Sequence, residues 1–242
     1  MYSFHYRLLN FTLKLLMLRR EAADYALFHP RRAMLAKAHA DTVAFVSTHM
    51  PNALGFDTPK QLLEFAIRAV KNDGIVAEFG VNSGGTINQI AKFMPGRKIH
   101  GFDSFEGLPE AWSGYNLVAG HFSRQGRMPR VRGNVTLHPG WFTDTLPSFA
   151  KSLSQPIALL HVDCDLYSST KTIFQHLKDH IVPGTIIVFD EFFNYPNWQA
   201  HEYKAFMEFV SERGLEFDYL AYSYEQAALV VRSANGATAP QQ

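Results

Sequence analysis

The sequence predicts a doubly wound α/β fold, a Rossmann-like sheet of seven strands in which five run parallel and the last two form a C-terminal antiparallel hairpin. Three observations carry this reading. Five short apolar runs, "IVAEFG", "KIHGFD", "VTLH", "IALLHVD" and "TIIVFDE", are continuous rather than alternating, as expected of strands buried on both faces. Helical patterns at 86–94 and 168–181 separate two of the pairs, which suits parallel crossovers. After a helix around 201–213, "LEFDYLAY" and "QAALVVR" follow each other across a short turn, so this pair reads as a hairpin at one edge.

In chain order, residues 1–56 read as an N-terminal helical extension. Its stretch "FHYRLLNFTLKLLMLRR" carries Arg7, Lys14, Arg19 and Arg20 and no acid before Glu21. Arg7 and Lys14 break the apolar run short of the roughly 18 residues a membrane span needs, and no small-residue cleavage site follows. An amphipathic helix packed on protein is the reading preferred over one lying on a membrane. It would serve as a lid or as a contact in a homo-oligomer. The next helix is well signalled: Thr58 as cap, Pro59 at the first position, Gln61 closing a capping box. Leu62, Leu63, Phe65, Ala66, Ala69 and Val70 give it an apolar face, and "NDG" at 72–74 ends it. Residues 57–232 then form the main domain, and the small, polar tail 233–242 is expected to be disordered. Residues 104–134 hold no convincing element, yet contain Phe105, Trp112, Tyr115, Phe122, Arg124, Arg127 and Arg130. A loop beyond about 15 residues with that aromatic content argues for a functional lid.

Hydrophobic residues make up 47% and charged residues 19% of the chain, which describes a globular protein. A net charge of +1 provides no general attraction to nucleic acid. The single cysteine, Cys164, excludes an internal disulfide and points to a reducing, cytoplasmic setting. As a free thiol in an apolar run, it reads as a buried and inert residue.

In open α/β sheets ligands bind beyond the carboxyl ends of the strands, and every unusual polar residue here falls at such an end. "EFGVNSGGT" follows the first parallel strand and opens a helix, and it is not the dinucleotide pattern G-x-G-x-x-G. Asp103 ends the next strand, about 20 residues on, where an acid accepts hydrogen bonds from ribose hydroxyls. Glu78, Gly80, Gly84 and Asp103 together describe a nucleoside site. Such a turn serves dinucleotides and S-adenosylmethionine alike, so the acids at the ends of the fourth and fifth strands must decide. Asp163, Asp190 and Glu191 converging on one point would repel one another unless a cation sat among them, and hard oxygen ligands suit magnesium or calcium. Asp165 is expected to fall off the strand face and to orient the following helix or a cofactor group.

The blocks "EFGVNSGGTI", "IHGFDSFEGLPEAW", "GWFTDTLP", "HVDCDLYSSTKT" and "IIVFDEFFNYPNW" resemble those of macrocin O-methyltransferase-type enzymes, class I S-adenosylmethionine-dependent methyltransferases that act on sugar hydroxyls of natural products. The match spans roughly residues 75 to 210, in the family's order. The resemblance implies that Glu78, Gly80, Val81, Asn82, Ser83, Gly84 and Gly85 hold the methionine part of S-adenosylmethionine, and Asp103 with Ser104 the ribose. It places Trp141 and Phe142 near the adenine and Asp163 against the cofactor. It also implies that Asp163, Asp190 and Glu191 hold magnesium. Glu191 stands where the family has aspartate or asparagine. Leu166 occupies the place of the lysine base of the related catechol enzymes. The expected reaction is methyl transfer to a hydroxyl of a small-molecule acceptor, a sugar or vicinal diol, with Asp163 as proton acceptor. His201 and His161 are further candidate bases, His161 reading more naturally as a hydrogen-bonded core residue. Three other readings stay open: a metal-independent methyltransferase acting on nitrogen or carboxylate, an NAD- or nucleotide-sugar-dependent enzyme, and a non-catalytic protein docked on a membrane by its basic helix.

Overall fold

The computed structural model describes residues 11–19 and 29–233. The expected tail therefore lies largely outside the described residues, and Ser233 belongs to the last strand. Residues 11–19 are helical (α1) and α2 spans Pro30–His49. His29 caps α2 by accepting the Arg31 amide at 3.2 Å, with Pro30 at the first position. The remaining elements are β1 (Leu54–Gly55), α3 (Pro59–Ala69), β2 (Ile75–Phe79), α4 (Gly85–Phe93), β3 (Ile99–Asp103), β4 (Val135–Pro139), α5 (Phe142–Ser152), β5 (Ile157–Val162), α6 (Tyr167–Leu177), β6 (Ile186–Phe189), α7 (Glu202–Arg213), β7 (Glu216–Tyr222) and β8 (Ala227–Ser233).

The sheet has the order β1-β7-β8-β6-β5-β2-β3-β4, with only β8 antiparallel to its neighbours. It is Rossmann-like, as the sequence predicts, but has eight strands instead of seven. The addition, β1, pairs two residues with Ala221 and Tyr222. A two-residue strand with an exposed Leu54 is too short to show any period. α5 is a further element beyond the sequence expectation; it carries Pro147 inside it, and an internal proline reads as a helix breaker. Thr58 caps α3 by accepting the Gln61 amide at 3.3 Å. The return bond differs from a capping box, because Gln61 Oε1 takes the Thr58 hydroxyl at 3.1 Å.

β5 and β6 are buried along their whole length, and side-chain alternation divides the core into two layers. Val76, Leu159 and Val188 pack with α3 and α4, whereas Phe79, Leu160, Val162 and Phe189 pack with α5, α6 and α7. α2 joins the second layer through Phe45, whose ring meets those of Phe192, Phe193, Trp198 and Tyr203. Thr42 Oγ1 also accepts the Asn194 amide at 2.9 Å. α2 is thus anchored on the segment that follows β6; residues 1–10 and 20–28 of the expected N-terminal extension lie outside the described residues. No helix among the described residues is long and apolar enough to cross a membrane.

Candidate active site

The carboxyl ends of the parallel strands are stepped. The first residue past one strand donates its amide to a neighbouring strand: Gly80 to Phe102, Asp163 to Phe79, Asp190 to Val162 and Gly140 to Asp103, all at 2.9–3.0 Å. This staircase fans the post-strand turns apart and leaves one cavity of about 780 Å³ above them, a size suited to a cofactor and a small acceptor.

Over β2, β3 and β4, the wall is the glycine turn, Asp103, Ser104, Trp141 and Phe142. Gly80 has φ +96°, and a Cβ there would lie 1.5 Å from the Asp163 carbonyl oxygen. This glycine is required by the crossing of two turns, and it also lines the cavity. Gly84, left-handed at φ 82°, starts α4 without a side-chain cap, packs on Pro129 and does not line the cavity. Nothing lies within 4 Å of a Cβ at Gly85, so here the backbone faces open space. Asp103 ties the wall together: its Oδ2 accepts the amides of Val81 and Asn82 at 2.9 and 2.7 Å, and its Oδ1 accepts that of Phe105 at 2.6 Å. Asn82 and Ser83 also line the cavity.

Glu78, expected on this wall, is fully buried beneath it. It sits directly across from His161 in the β2–β5 register, with Oε1 3.1 Å from His161 Nδ1. Burial pushes the Glu78 carboxyl up against the pull of His161. Burial also acts to lower His161, but its bond to Glu78 outweighs that and raises it. The pair braces the sheet below the cavity, and His161 is the core residue its sequence context suggests.

The other half of the cavity, over β5, β6 and the β7–β8 turn, is acidic. Ligand oxygens of Asp163, Asp165 and Glu191 lie within 4.8 Å of one another. The expectation for Asp165 is corrected here. β5 ends at Val162, but Asp165 adopts a left-handed conformation, φ 69°, and returns its carboxylate to the cluster. It caps nothing, since α6 begins after Leu166 without a side-chain cap. Asp190 stands outside the three-oxygen group and does not line the cavity. Its charge nevertheless adds to burial in raising the carboxyls of Asp163, Asp165 and Glu191, Asp165 to about 7.

Two further acids escaped the sequence reading. Glu202, the first residue of α7, is fully buried. Its Oε1 accepts the amides of Cys164 and Asp165 at 3.3 and 3.2 Å. Burial followed by Asp165 holds its carboxyl well above the usual range. Glu225 lines the cavity from the β7–β8 turn and accepts the Tyr115 hydroxyl, and its backbone carbonyl accepts the amides of Phe192 and Phe193. In sequence, Glu202 looks like a solvated acid at a helix start and Glu225 like a polar turn residue. Cys164 is buried as expected, with its thiol pushed up mainly by burial.

His201 does not line the cavity. It lies behind Trp112, with its Nε2 3.4 Å from Ser113 Oγ, and burial lowers its pKa. The expected lid does border the site. Residues 104–134 form no helix, only a single Trp112–Leu117 bridge, yet Leu108, Trp112, Tyr115 and Phe122 line the cavity.

The donor set fits a hard divalent cation. Its atoms are carboxylate oxygens, and the Oε2 atoms of Glu191 and Glu202 are buried without a hydrogen-bond partner among the described residues. Buried anions in this state require a proton or a cation. The open backbone at Gly85, the Asp103 carboxylate and the indole of Trp141 likewise fit a nucleoside with a charged tail.

Residues 77–192 match the family model of a methyltransferase domain. A tetracenomycin-C 4'-O-methyltransferase of Streptomyces olivaceus, which acts on the 8-demethyl-8-(2,3-dimethoxy-alpha-L-rhamnosyl) compound, is 28% identical over 182 aligned residues. That alignment covers 59% of this chain and 67% of the relative. The mycinamicin III 3''-O-methyltransferase of Micromonospora griseorubida is 28% identical over 94 residues, 39% of this chain and 34% of that protein. Among solved structures, the calicheamicin methyltransferase CalS11 shares the fold with a TM-score of 0.57 at 24% identity, covering 71% of this chain and 77% of its own. The O-methyltransferase NovP does so with a TM-score of 0.54 at 20% identity, covering 72% and 79%.

Proposed function

We propose that this chain, whose residues 77–192 match the family model of a methyltransferase domain, transfers a methyl group from S-adenosylmethionine to a hydroxyl of a sugar, at a vicinal diol, on a natural-product acceptor. The observation that carries the reading is one cavity with a nucleoside-type wall on one side and three convergent carboxylates on the other. The O-methyltransferase relatives agree in reaction type.

When bound, S-adenosylmethionine supplies a methyl carbon made electrophilic by its sulfonium. Val81, Asn82, Ser83 and Gly85, with Asp103, Ser104, Trp141 and Phe142, would hold it. Asp163, Asp165 and Glu191 would hold magnesium, whose chemistry there is to lower the pKa of a hydroxyl. Asp190 supports that set through its charge. The chain's own work is positioning and proton transfer. Tyr115 and Glu225 face the acidic half, where the Glu225 carboxylate can accept a hydrogen bond from an acceptor hydroxyl. Alignment of acceptor oxygen, methyl and sulfur supplies much of the rate. The attacking oxygen gives its proton to Asp163, the carboxylate at the end of β5 that lines the cavity. Tyr115, Trp112 and Leu117 roof this half and exclude water.

Transfer of label from S-adenosylmethionine to a panel of glycosides, with and without EDTA, tests the reading. Labelled ether product that is lost in chelator and restored by magnesium is expected. Methylation of amines or carboxylates alone, or full activity in EDTA, overturns it.

A further inference from the structure

We infer that Glu202 is the positioning residue of the acidic site, the buried acceptor that folds the Asp163–Asp165 turn back over the cavity. A non-glycine residue held at positive φ needs its surroundings to impose it, and Asp165 is such a residue at φ 69°. Locally, the Leu166 amide donates to the Cys164 carbonyl at 2.7 Å and closes a tight turn around Asp165, and aspartate tolerates the left-handed region better than most residues. The helix that follows has no side-chain cap, so the local chain permits this turn without fixing the direction of its amides. The tie that fixes them arrives from 37 residues away. Glu202 Oε1 takes the consecutive amides of Cys164 and Asp165 at 3.3 and 3.2 Å, so both N–H vectors must point toward α7. With those amides turned inward, the Asp165 carboxylate is directed to the side where Asp163 and Glu191 lie within 4.8 Å. Glu202 itself does not line the cavity and belongs to no three-ligand group. It therefore acts through Asp165, not on the reactants. Its Oε2 has no hydrogen-bond partner among the described residues, so one oxygen carries the whole tie.

The metal part of this inference rests on the cation reading above, while the turn itself has an independent reporter. Cys164 is the only cysteine of the chain; it is buried, and its Sγ lies 3.3 Å from Thr170 Oγ1 and 3.9 Å from Glu202 Oε1. Its reaction with a disulfide reagent in the folded protein reads local opening of the turn.

Two conservative variants separate reach from charge. Glu202→Gln keeps an oxygen acceptor at the same reach, and Glu202→Asp keeps the charge but withdraws the oxygen by one methylene. Thiol reactivity should rise about tenfold in Glu202→Asp and stay within about threefold of wild type in Glu202→Gln, the scale expected for a lost pair of buried hydrogen bonds. Manganese affinity of the S-adenosylhomocysteine-loaded protein, by titration calorimetry, should follow the same order, with S-adenosylhomocysteine affinity unchanged in both. The opposite order, Glu202→Asp like wild type and Glu202→Gln impaired, would show that charge matters instead and sink the inference. Wild-type thiol reactivity in Glu202→Asp would also sink it. Absence of manganese binding in the wild type would overturn the cation reading and leave the thiol comparison to judge Glu202.

Discussion

At the scale of single residues, glycines with the same sequence appearance have opposite duties. Gly80→Ala should prevent correct folding, because its Cβ would meet a backbone carbonyl at 1.5 Å and its φ is +96°. Gly85→Ala has no atom within 4 Å to oppose it. It should fold normally and lose S-adenosylhomocysteine affinity, because the methyl enters the cavity. Circular dichroism and calorimetry on the two variants check this contrast, and equal behaviour contradicts it. Asp103 is more than a ribose acceptor, because three backbone amides already converge on it. Asp103→Ala should therefore cost about 1.5–3 kcal/mol of S-adenosylhomocysteine binding, both by removing a charged acceptor and by loosening the glycine turn. Unchanged affinity would show that neither role matters. Asp103 could be found from its place at a strand end. Its grip on the turn could not, because Val81 and Asn82 lie 22 and 21 residues away in the chain.

At the scale of elements, the 104–134 loop is held to the β7–β8 turn by the Tyr115–Glu225 hydrogen bond, and that turn is held to Phe192 and Phe193, in the segment after β6, by the Glu225 carbonyl. Tyr115→Phe removes the first link and keeps the ring. Trypsin should then cut at Arg124 or Arg127 faster than in wild type, with the melting temperature little changed. An unchanged cleavage rate would mean that the loop is held by its aromatic packing alone. The β3–β4 pair offers a second test. His100 Nδ1 lies 3.0 Å from His138 Nε2, and burial, then the neighbouring His138, depresses His100 to about 4. A histidine with a depressed folded pKa gives stability above its unfolded value that is lost as pH falls. The fold should thus weaken between about pH 6.5 and 4 through this group, and the His100 ring signal should titrate in NMR near the lower value. A midpoint near 6.5 would place the ring in solvent.

At the scale of the whole molecule, the acids above the sheet set a pH dependence of the opposite sign. Asp163, Asp165, Glu191 and Glu202 all have raised pKa values, mainly from burial. Their protonated forms favour the fold, a contribution complete below the ordinary carboxylate range and lost as pH rises, for Asp165 through about 7. Magnesium binding would take over that neutralising role. The melting temperature should rise more on adding magnesium at pH 8 than at pH 5, where protons already occupy the site. An equal rise at both values would locate magnesium elsewhere. Seven of the eight strands are legible in the chain, because burial on both faces leaves continuous apolar runs, whereas the two-residue β1 leaves none. The sequence also determined the strand-end motifs, because the chemistry at each end is local to one turn. Only the tertiary structure decided how those ends meet. Glu78 went beneath the floor because its register partner on β5 is His161. Asp165 entered the acidic cluster, and Glu202 and Glu225 joined the site, through contacts reaching 38 and 37 residues to Cys164 and Asp165 and 110 to Tyr115. A side chain's exposure and direction are set by what packs across from it, and the linear chain holds no local trace of that partner.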